Sequence, residues 1–402
     1  MTYSPRVVCF PFVGDDIGGS HLSTIKLIEA LDRKRYTPLV VLHTSEGPVA
    51  SVLAEHGLPF VEAPFRPLPS RRGVGNRTVK ALRNLVGFTL AAARPLARFL
   101  KERDVDIVHT NDGRIHLAWA VPAKLAHAHH VWHHRGDPNA WGINYLAPIF
   151  ADRIVTVSRF ATPRRPLLPF GCEVAVVHSP FDPPSTNMER SVAKNPIREE
   201  LGCSPETRLL GYFGLLISRK RPLGFVEAVA AFTRRYPDVP VIGLLFGVPG
   251  NEEAWLGRAV MQRATELGIA DRIRLMGFRQ PVEPWMGAVD VLLVPAVREP
   301  FGRTLIEAMM LGVPVVATRD GGNCEAIENE KTGFLVPVDR PEAFCEPVHR
   351  LLTDPECHRR ITMAAYEDTR SRYGLKKHVE QIDRIYSQLG GPFAEPRPLT
   401  VC

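Results

Sequence analysis

With 402 residues, 45% of them hydrophobic and 23% charged, the chain has room for two domains of ordinary size and the composition of a soluble globular protein. Its formal net charge of +7 suits an anionic partner, whether nucleotide, phospholipid surface or nucleic acid, without choosing among them. The cysteines (Cys9, Cys172, Cys203, Cys324, Cys345, Cys357 and Cys402) are odd in number and lack CxxC spacing, which argues against a disulfide framework or zinc site and for reduced thiols in a cytoplasmic protein.

The opening MTYSPRVVCFPFVG has no long apolar stretch behind a basic head, so no signal peptide is expected. Residues 6–12 read as a buried first strand, running into Gly18-Gly19 and then a helical pattern through Leu22, Ile25, Ile28 and Leu31. Glycines at such a turn permit close approach by a ligand and tolerate positive φ. The spacing is not GxGxxG, so no dinucleotide fingerprint is supported. The segment 66–101 crowds Arg71, Arg72, Arg77, Lys80 and Arg83 beside Leu82, Leu85, Val86, Phe88 and Leu90. It reads either as a contact with an anionic membrane or as a solvated helix face with its apolar side in the core. Its apolar run at 85–93 is interrupted by Arg94-Pro95 and is too short to span a bilayer.

Strands are expected at 37–43, 107–111, 130–134, 153–158 and 174–178, separated by helix-length spacers, the signature of βαβ units and a parallel sheet. Asp104-Val105-Asp106 sits at the front of a strand. Ligands of open parallel sheets bind at the carboxyl ends, so the pair reads as a turn and no metal is assigned. His133, His134 and Arg135 fall at that functional end, and alternation along the strand leaves either ring as the one facing the ligand.

A Pro/Ser-rich turn cluster at 182–188 suggests a boundary, giving domains at 1–185 and 186–375. A second βαβ series follows through 208–214, 239–246, 272–277, 289–294, 313–317 and 334–336, then a helix at 376–389 and a disordered tail at 390–402. The fold class is therefore α/β, two doubly wound parallel-sheet domains. Between the strands at 289–294 and 313–317, a helical pattern begins just after Pro300 and Gly302. A strand leading into a helix leaves the first-turn amides near Gly302, Arg303, Thr304 and Leu305 without intrahelical partners, an anion site suited to phosphate. Glu299 precedes it and Glu307 leans back toward it. An ionised Glu only accepts hydrogen bonds, and a vicinal diol offers two donors to its two oxygens. Phosphate on the amides, ribose on one Glu and a sugar near the other describe a nucleotide-sugar.

Glu299-Pro300-Phe301-Gly302, Glu307-Ala308, the run Gly312-Val313-Pro314-Val315-Val316-Ala317, and Gly321-Gly322 with Glu325 together resemble the Glu-x7-Glu signature of retaining glycosyltransferases of family 4. The resemblance implies the GT-B architecture, two Rossmann-like domains facing a cleft, with the last helix crossing back to the N-terminal domain. It implies a metal-independent, retaining transfer from a nucleoside diphosphate sugar (UDP- or GDP-sugar) to a hydroxyl acceptor, lipid-linked or polysaccharide, in cell-envelope synthesis. No further cofactor and no nucleic-acid partner are expected.

Residue by residue, the resemblance places Gly18 and Gly19 at the donor diphosphate, and His133, or else His134, against the transferred sugar on the acceptor side with Arg135. Lys220 matches a diphosphate-binding lysine, while the family's arginine position holds Leu215 and the glycine after the lysine is Arg221. Arg219 is the neighbour that can replace the missing charge. Gly277 and Phe278 fall beside the nucleotide base, and Phe301 within the donor loop. Glu299 would hold sugar hydroxyls and Glu307 the ribose. Two other readings remain at this stage, a nucleotide-sugar epimerase of the same architecture and a non-catalytic nucleotide-sugar-binding protein. Localisation is expected to be cytoplasmic, peripheral on the membrane's inner face if 66–101 binds lipid.

Overall fold

The computed structural model describes residues 4–65, 79–171, 173–181 and 197–390. The chain divides into two compact units, Met1–Pro180 with Leu375–Cys402, and Phe181–Gly374. In the first unit, β1 (Arg6–Phe12), β2 (Tyr36–Leu42), β3 (Phe60–Glu62), β4 (Val105–Thr110), β5 (His129–His134), β6 (Arg153–Thr156) and β7 (Val174–Val176) make one parallel sheet. Its order is β3-β2-β1-β4-β5-β6-β7, so the direction of winding reverses between β1 and β4, the switch point beside which such sheets bind ligands.

Both faces of this sheet are covered, which is why β1 is apolar at successive positions and not at alternate ones. Along β1, Val8, Phe10 and Phe12 join a core with Ile25, Leu27 and Ile28 of the helix Gly19–Ala30. Cys9 faces the opposite core, with Leu96 and Leu100 of the helix Val79–Lys101 and Trp119 of the helix Gly113–Ala126. The C-terminal helix Leu375–Gln388 completes the first core through Ile382, Ile385 and Tyr386. Arg35 pairs with its Asp383 at 2.5 Å, and Arg6 Nη1 donates to Tyr386 O at 2.7 Å.

In the second unit, β8 (Arg208–Phe213), β9 (Val241–Phe246), β10 (Ile273–Gly277), β11 (Val291–Val294), β12 (Val315–Thr318) and β13 (Phe334–Val336) form a parallel sheet ordered β10-β9-β8-β11-β12-β13. Its switch point lies between β8 and β11. One device recurs in both sheets: an aspartate at the front of one strand accepts the first free amide of its neighbour. Val7 N donates to Asp106 Oδ2 at 2.8 Å, His130 N to Asp152 Oδ2 at 2.8 Å and Leu209 N to Asp290 Oδ2 at 2.7 Å. The second carboxylate of Asp104-Val105-Asp106 is therefore a strand cap.

Several features depart from the sequence reading. The three-residue edge strand β3 and the 19-residue helix Pro355–Tyr373 were not expected. The helix Val79–Lys101 continues through Pro95. No helix among the described residues is long and apolar enough to cross a membrane. The units part between Pro180 and Phe181, ahead of the expected 185/186 boundary. Phe181 belongs to the second unit because its N–H donates to Tyr373 O at 2.9 Å and its ring packs near Tyr373 and Phe301. The turn cluster at 182–188, most of the basic segment's charges and residues 391–402 lie outside the described residues.

Candidate functional site

Each unit gathers chemically loaded side chains at the carboxyl ends of its central strands. In the second unit, three adjacent strands end on a row of glycines: Gly214 N donates to Phe246 O at 2.9 Å and Gly247 N to Gly277 O at 2.8 Å. A Cβ on Gly247, whose φ is +135°, would lie 2.1 Å from Gly214 O, so this approach requires glycine. A Cβ on Gly214 would in turn meet Lys220 Nζ at 3.0 Å, so the lysine side chain lies across the end of β8. Phe278, just beyond Gly277, is 69% exposed, an unusual position for a ring of that size.

The loop between β11 and the helix Arg303–Met310 is held from several sides. Val297 N donates to Arg219 O at 2.9 Å, tying it to the lysine-bearing loop, and Arg298 N donates to Asp320 Oδ2 at 2.9 Å. Gly321 and Gly322 press on it directly. A Cβ on Gly321 would fall 2.7 Å from Glu299 O, and one on Gly322 would fall 2.6 Å from Phe301 Cα. The glycine pair is thus required by a backbone-to-backbone clamp. Below it, buried Asn323 donates to Thr318 O at 3.1 Å, and the Thr318 hydroxyl donates to Ala296 O.

This clamp presents Glu299, whose residue is 9% exposed. Arg219 Nη1 lies 2.5 Å and Lys220 Nζ 3.7 Å from Glu299 Oε2. Burial pushes the Glu299 carboxyl upward, but Lys220 and Arg219 outweigh it and hold the group below the usual range. Glu299 is an anion at neutral pH. Arg219, expected to replace the family's missing diphosphate contact, is committed to this carboxylate. The helix Arg303–Met310 starts at Gly302 (φ +77°) with no side-chain cap, so the amides of Thr304 and Leu305 lie at the positive end of its dipole. One turn on, Glu307 Oε1 accepts from Arg303 Nη2 at 3.0 Å, and the Arg303 guanidinium sits 4.6 Å from the centre of the Phe181 ring. Phe301, expected among the donor contacts, is 3% exposed and packs on Phe181 and Tyr373. It supports the loop from beneath.

In the first unit, Gly18 and Gly19 stand at the entrance to the helix Gly19–Ala30. Gly18 N donates to His21 Nδ1 at 2.9 Å. Gly18 does not use the positive φ open to glycine; it is extended at −156°. The left-handed residue of this turn is Gly14 at +98°, whose Cβ would sit 2.2 Å from Thr44 O.

His133 and His134 leave β5 on opposite faces, and both are buried because helices cover each face. His134 Nε2–H donates to Asp137 O at 2.9 Å. His133 belongs to a buried chain: His109 Nδ1 is 2.5 Å from Tyr386 Oη, and His109 Nε2 is 3.1 Å from His133 Nδ1. A guanidinium can only donate, and Arg135 Nη2 approaches His133 Nδ1 at 3.4 Å. His133 Nδ1 is then the acceptor, His109 Nε2 carries the hydrogen between the rings, and the Tyr386 hydroxyl donates to His109. His133 must carry its own hydrogen on Nε2, which is buried without a partner, at a typical cost of about 1–3 kcal/mol. Burial, then Arg135, drives the His133 and His109 pKa values well below the ordinary histidine range, so both rings are neutral. Arg135, half-buried, also donates to Asn111 Oδ1 at 3.2 Å and Ser179 Oγ at 3.0 Å.

The sequence reading placed Glu299, Lys220, Arg219, the helix amides and Glu307 in one site; in the fold Arg219 and Lys220 meet Glu299, and Glu307 pairs with Arg303 on the helix that follows. It missed Asp320 and Asn323, which build the loop, and His109, His378 and Tyr386, which surround His133. His109 carried a signal, since it lies within a predicted strand beside the histidine-rich one. The two helix residues carried none.

A family model described as "Glycosyltransferase Family 4" matches residues 17–183, and one described as "Glycosyl transferases group 1" matches 207–354. The chain belongs to glycosyltransferase family 4. Among curated relatives, the D-inositol 3-phosphate glycosyltransferase of Corynebacterium urealyticum is 33% identical over 195 residues, 48% of this chain and 46% of that protein. Its counterpart in Corynebacterium jeikeium is 32% identical over 231 residues, 54% of this chain and 52% of that one. This chain thus spans about half the length of the curated relatives it matches. Among solved structures, Anabaena HepE in complex with UDP and glucose superposes with a TM-score of 0.75 at 22% identity, covering 94% of this chain and 99% of that one. A Rickettsia africae glycosyltransferase gives 0.76 at 18%, covering 96% and 99%. These likenesses carry the fold, two Rossmann-like units of the GT-B family type.

Proposed function

We propose that this family 4 protein transfers a sugar from a nucleoside diphosphate sugar to a hydroxyl acceptor, with retention of anomeric configuration and without a divalent metal. The observation that carries the reading is the ionised Glu299 set between Lys220 and Arg219, beside an uncapped helix N-terminus and ahead of Glu307. Departure of a nucleoside diphosphate develops negative charge, and Lys220 with the amides of Thr304 and Leu305 would stabilise it. Glu307 would accept the ribose diol and Glu299 the hydroxyls of the donor sugar. Gly277 and Phe278 would flank the base, and Gly18 and Gly19 would serve the diphosphate, as the family resemblance implies. On the acceptor side, the neutral Nε2–H of His133 is a donor awaiting an acceptor, and Arg135 is the more exposed group beside it.

Metal independence rests on Lys220 and the helix amides taking the charge-neutralising role. Activity abolished by EDTA and restored by magnesium or manganese would refute it. The relatives' name makes D-inositol 3-phosphate the first acceptor to try, alongside lipid-linked and polysaccharide hydroxyls of the cell envelope. Cytoplasmic location with a contact between 66–101 and an anionic inner membrane face belongs to the same proposal, supported by sequence charge alone.

A thermal-shift panel of UDP- and GDP-sugars tests the donor site. A donor at a hundred times its Kd stabilises by about 2.7 kcal/mol, so one nucleotide-sugar should raise the melting temperature of the wild type, and Glu307→Gln should lose most of that rise. A flat panel would remove the donor assignment.

A further inference from the structure

The stretch from Trp141 to Phe150 after β5 contains no charged residue. It is helical throughout, and its middle, Gly142–Leu146, is a π-helix. Gly142 lets it lie close on Trp132, where a Cβ would meet the indole at 3.2 Å. The buried side is therefore fully packed. On the outer side, Trp141, Tyr145 and Ile149 recur every fourth residue and are 39%, 42% and 48% exposed. The Trp141 and Tyr145 rings stack at 5.8 Å. Leu167 and Leu168, 57% and 49% exposed, continue the patch, because their loop is pinned to this helix: Leu167 N donates to Asn144 O at 2.7 Å and Arg165 N to Asn144 Oδ1 at 2.9 Å. Arg164 and Arg165 are exposed at its edge.

Five exposed large apolar residues in one patch exceed the scattered exposure normal for a surface. The charge around them leans positive: from Asp137 to Glu173 four arginines stand against Asp137, Asp152 and Glu173, and Lys124 neutralises Asp152 at 2.7 Å. Trp and Tyr favour the polar boundary of a bilayer, leucines its acyl region, and arginines its phosphates. A protein partner would have to supply both an apolar face and a carboxylate rim, whereas an anionic lipid surface offers the two together. We propose that Trp141, Tyr145, Ile149, Leu167 and Leu168, bordered by Arg164 and Arg165, form an interfacial docking surface for an anionic bilayer, built without any residue of the basic segment 66–101.

The test is co-sedimentation of the full chain with vesicles of phosphatidylcholine alone or mixed with phosphatidylglycerol, at low and high salt; it needs neither donor nor turnover. Wild type should bind the anionic vesicles. Trp141→Ser with Leu167→Ser and Leu168→Ser should lower the bound fraction about tenfold. Arg164→Gln with Arg165→Gln should weaken binding and flatten its salt dependence. Glutamine at Arg71, Arg72, Arg77, Lys80 and Arg83 should leave at least about half of it, in keeping with a separate surface. With brominated lipid, tryptophan quenching should be strong in wild type and largely lost in Trp141→Phe, a variant that keeps the apolar bulk should the triple variant fail to fold. The proposal is overturned if the triple variant binds as wild type does, or if Trp141→Phe leaves quenching unchanged. A wild type that ignores anionic vesicles but self-associates, and that the triple variant renders monomeric, also overturns it and assigns the patch to a second copy of the chain.

Discussion

Glu299 is the residue on which the second unit's charges converge. Arg219 and Lys220 share one of its oxygens, so removing either cation changes what the other can do. Arg219→Ala leaves Lys220 as the sole partner of a buried carboxylate and draws it away from a phosphate. Lys220→Ala leaves the carboxylate satisfied by Arg219 but deletes the cation proposed for the departing phosphate. Steady-state kinetics should show kcat falling by about tenfold for Arg219→Ala and by about 10²–10³ for Lys220→Ala, the size of losing one transition-state charge contact. Because the two share a partner, the double variant should cost less than the product of the single effects. A full product would mean that the cations act independently of Glu299. The glutamates and Lys220 were legible because each sits at a fixed offset from a strand end within a short run of sequence. The environment of His133 was not, because its hydrogen-bond chain ends on Tyr386, 277 residues beyond His109.

At the scale of elements, the strands were readable wherever both faces are buried, as in β11, where all four residues are buried. β3 was missed because three residues carry no periodicity. The helix Pro355–Tyr373 was missed because its buried stripe is Cys357, Ile361, Ala365, Thr369 and Tyr373, small or polar for the most part, on an otherwise charged helix. Glycines separate two kinds of constraint. Gly322 has ordinary φ (−67°) but no room, since its Cβ would strike backbone 2.6 Å away. Gly312 has open space but φ of +68°. Gly322→Ala should therefore cost about 1–3 kcal/mol by overpacking and disturb Glu299 directly, whereas Gly312→Ala should cost about 1 kcal/mol of backbone strain and leave the site intact. Melting temperatures with donor-binding isotherms check this. Equal loss of donor affinity in both would show that the clamp is not specific to the loop.

At the scale of the molecule, the first unit concentrates neutral, buried histidines. Burial lowers His109, His116 and His133 well below the usual range, His130 to about 4 and His378 to about 3, and also lowers His134. All six lie in the unit that includes the C-terminal helix. These pKa values are depressed on folding. Above about 6.5 both folded and unfolded chains hold the rings neutral, and stability is complete. As pH falls below that value the unfolded chain takes up protons that the folded one refuses, and each such ring removes up to about 1.4 kcal/mol per pH unit until its folded pKa is reached. Hydrogen exchange at pH 7.5 and pH 5 should thus show protection falling in β4, β5 and the helix Leu375–Gln388 ahead of β8 to β13. Uniform loss in both units would contradict it. The pairing of two Rossmann-like units was legible from the alternation of strands and helices, but the return of the last helix into the first core came only with the family resemblance.

The most direct test of the transfer reaction is NMR of the products formed from the stabilising nucleotide-sugar and an acceptor hydroxyl, beginning with D-inositol 3-phosphate, in the presence of EDTA. The account predicts free nucleoside diphosphate in equal amount to a new glycoside, whose anomeric configuration matches that of the donor. A donor that binds yet stays intact with every acceptor, a donor whose sugar is altered without any acceptor, or a product of inverted configuration would contradict it.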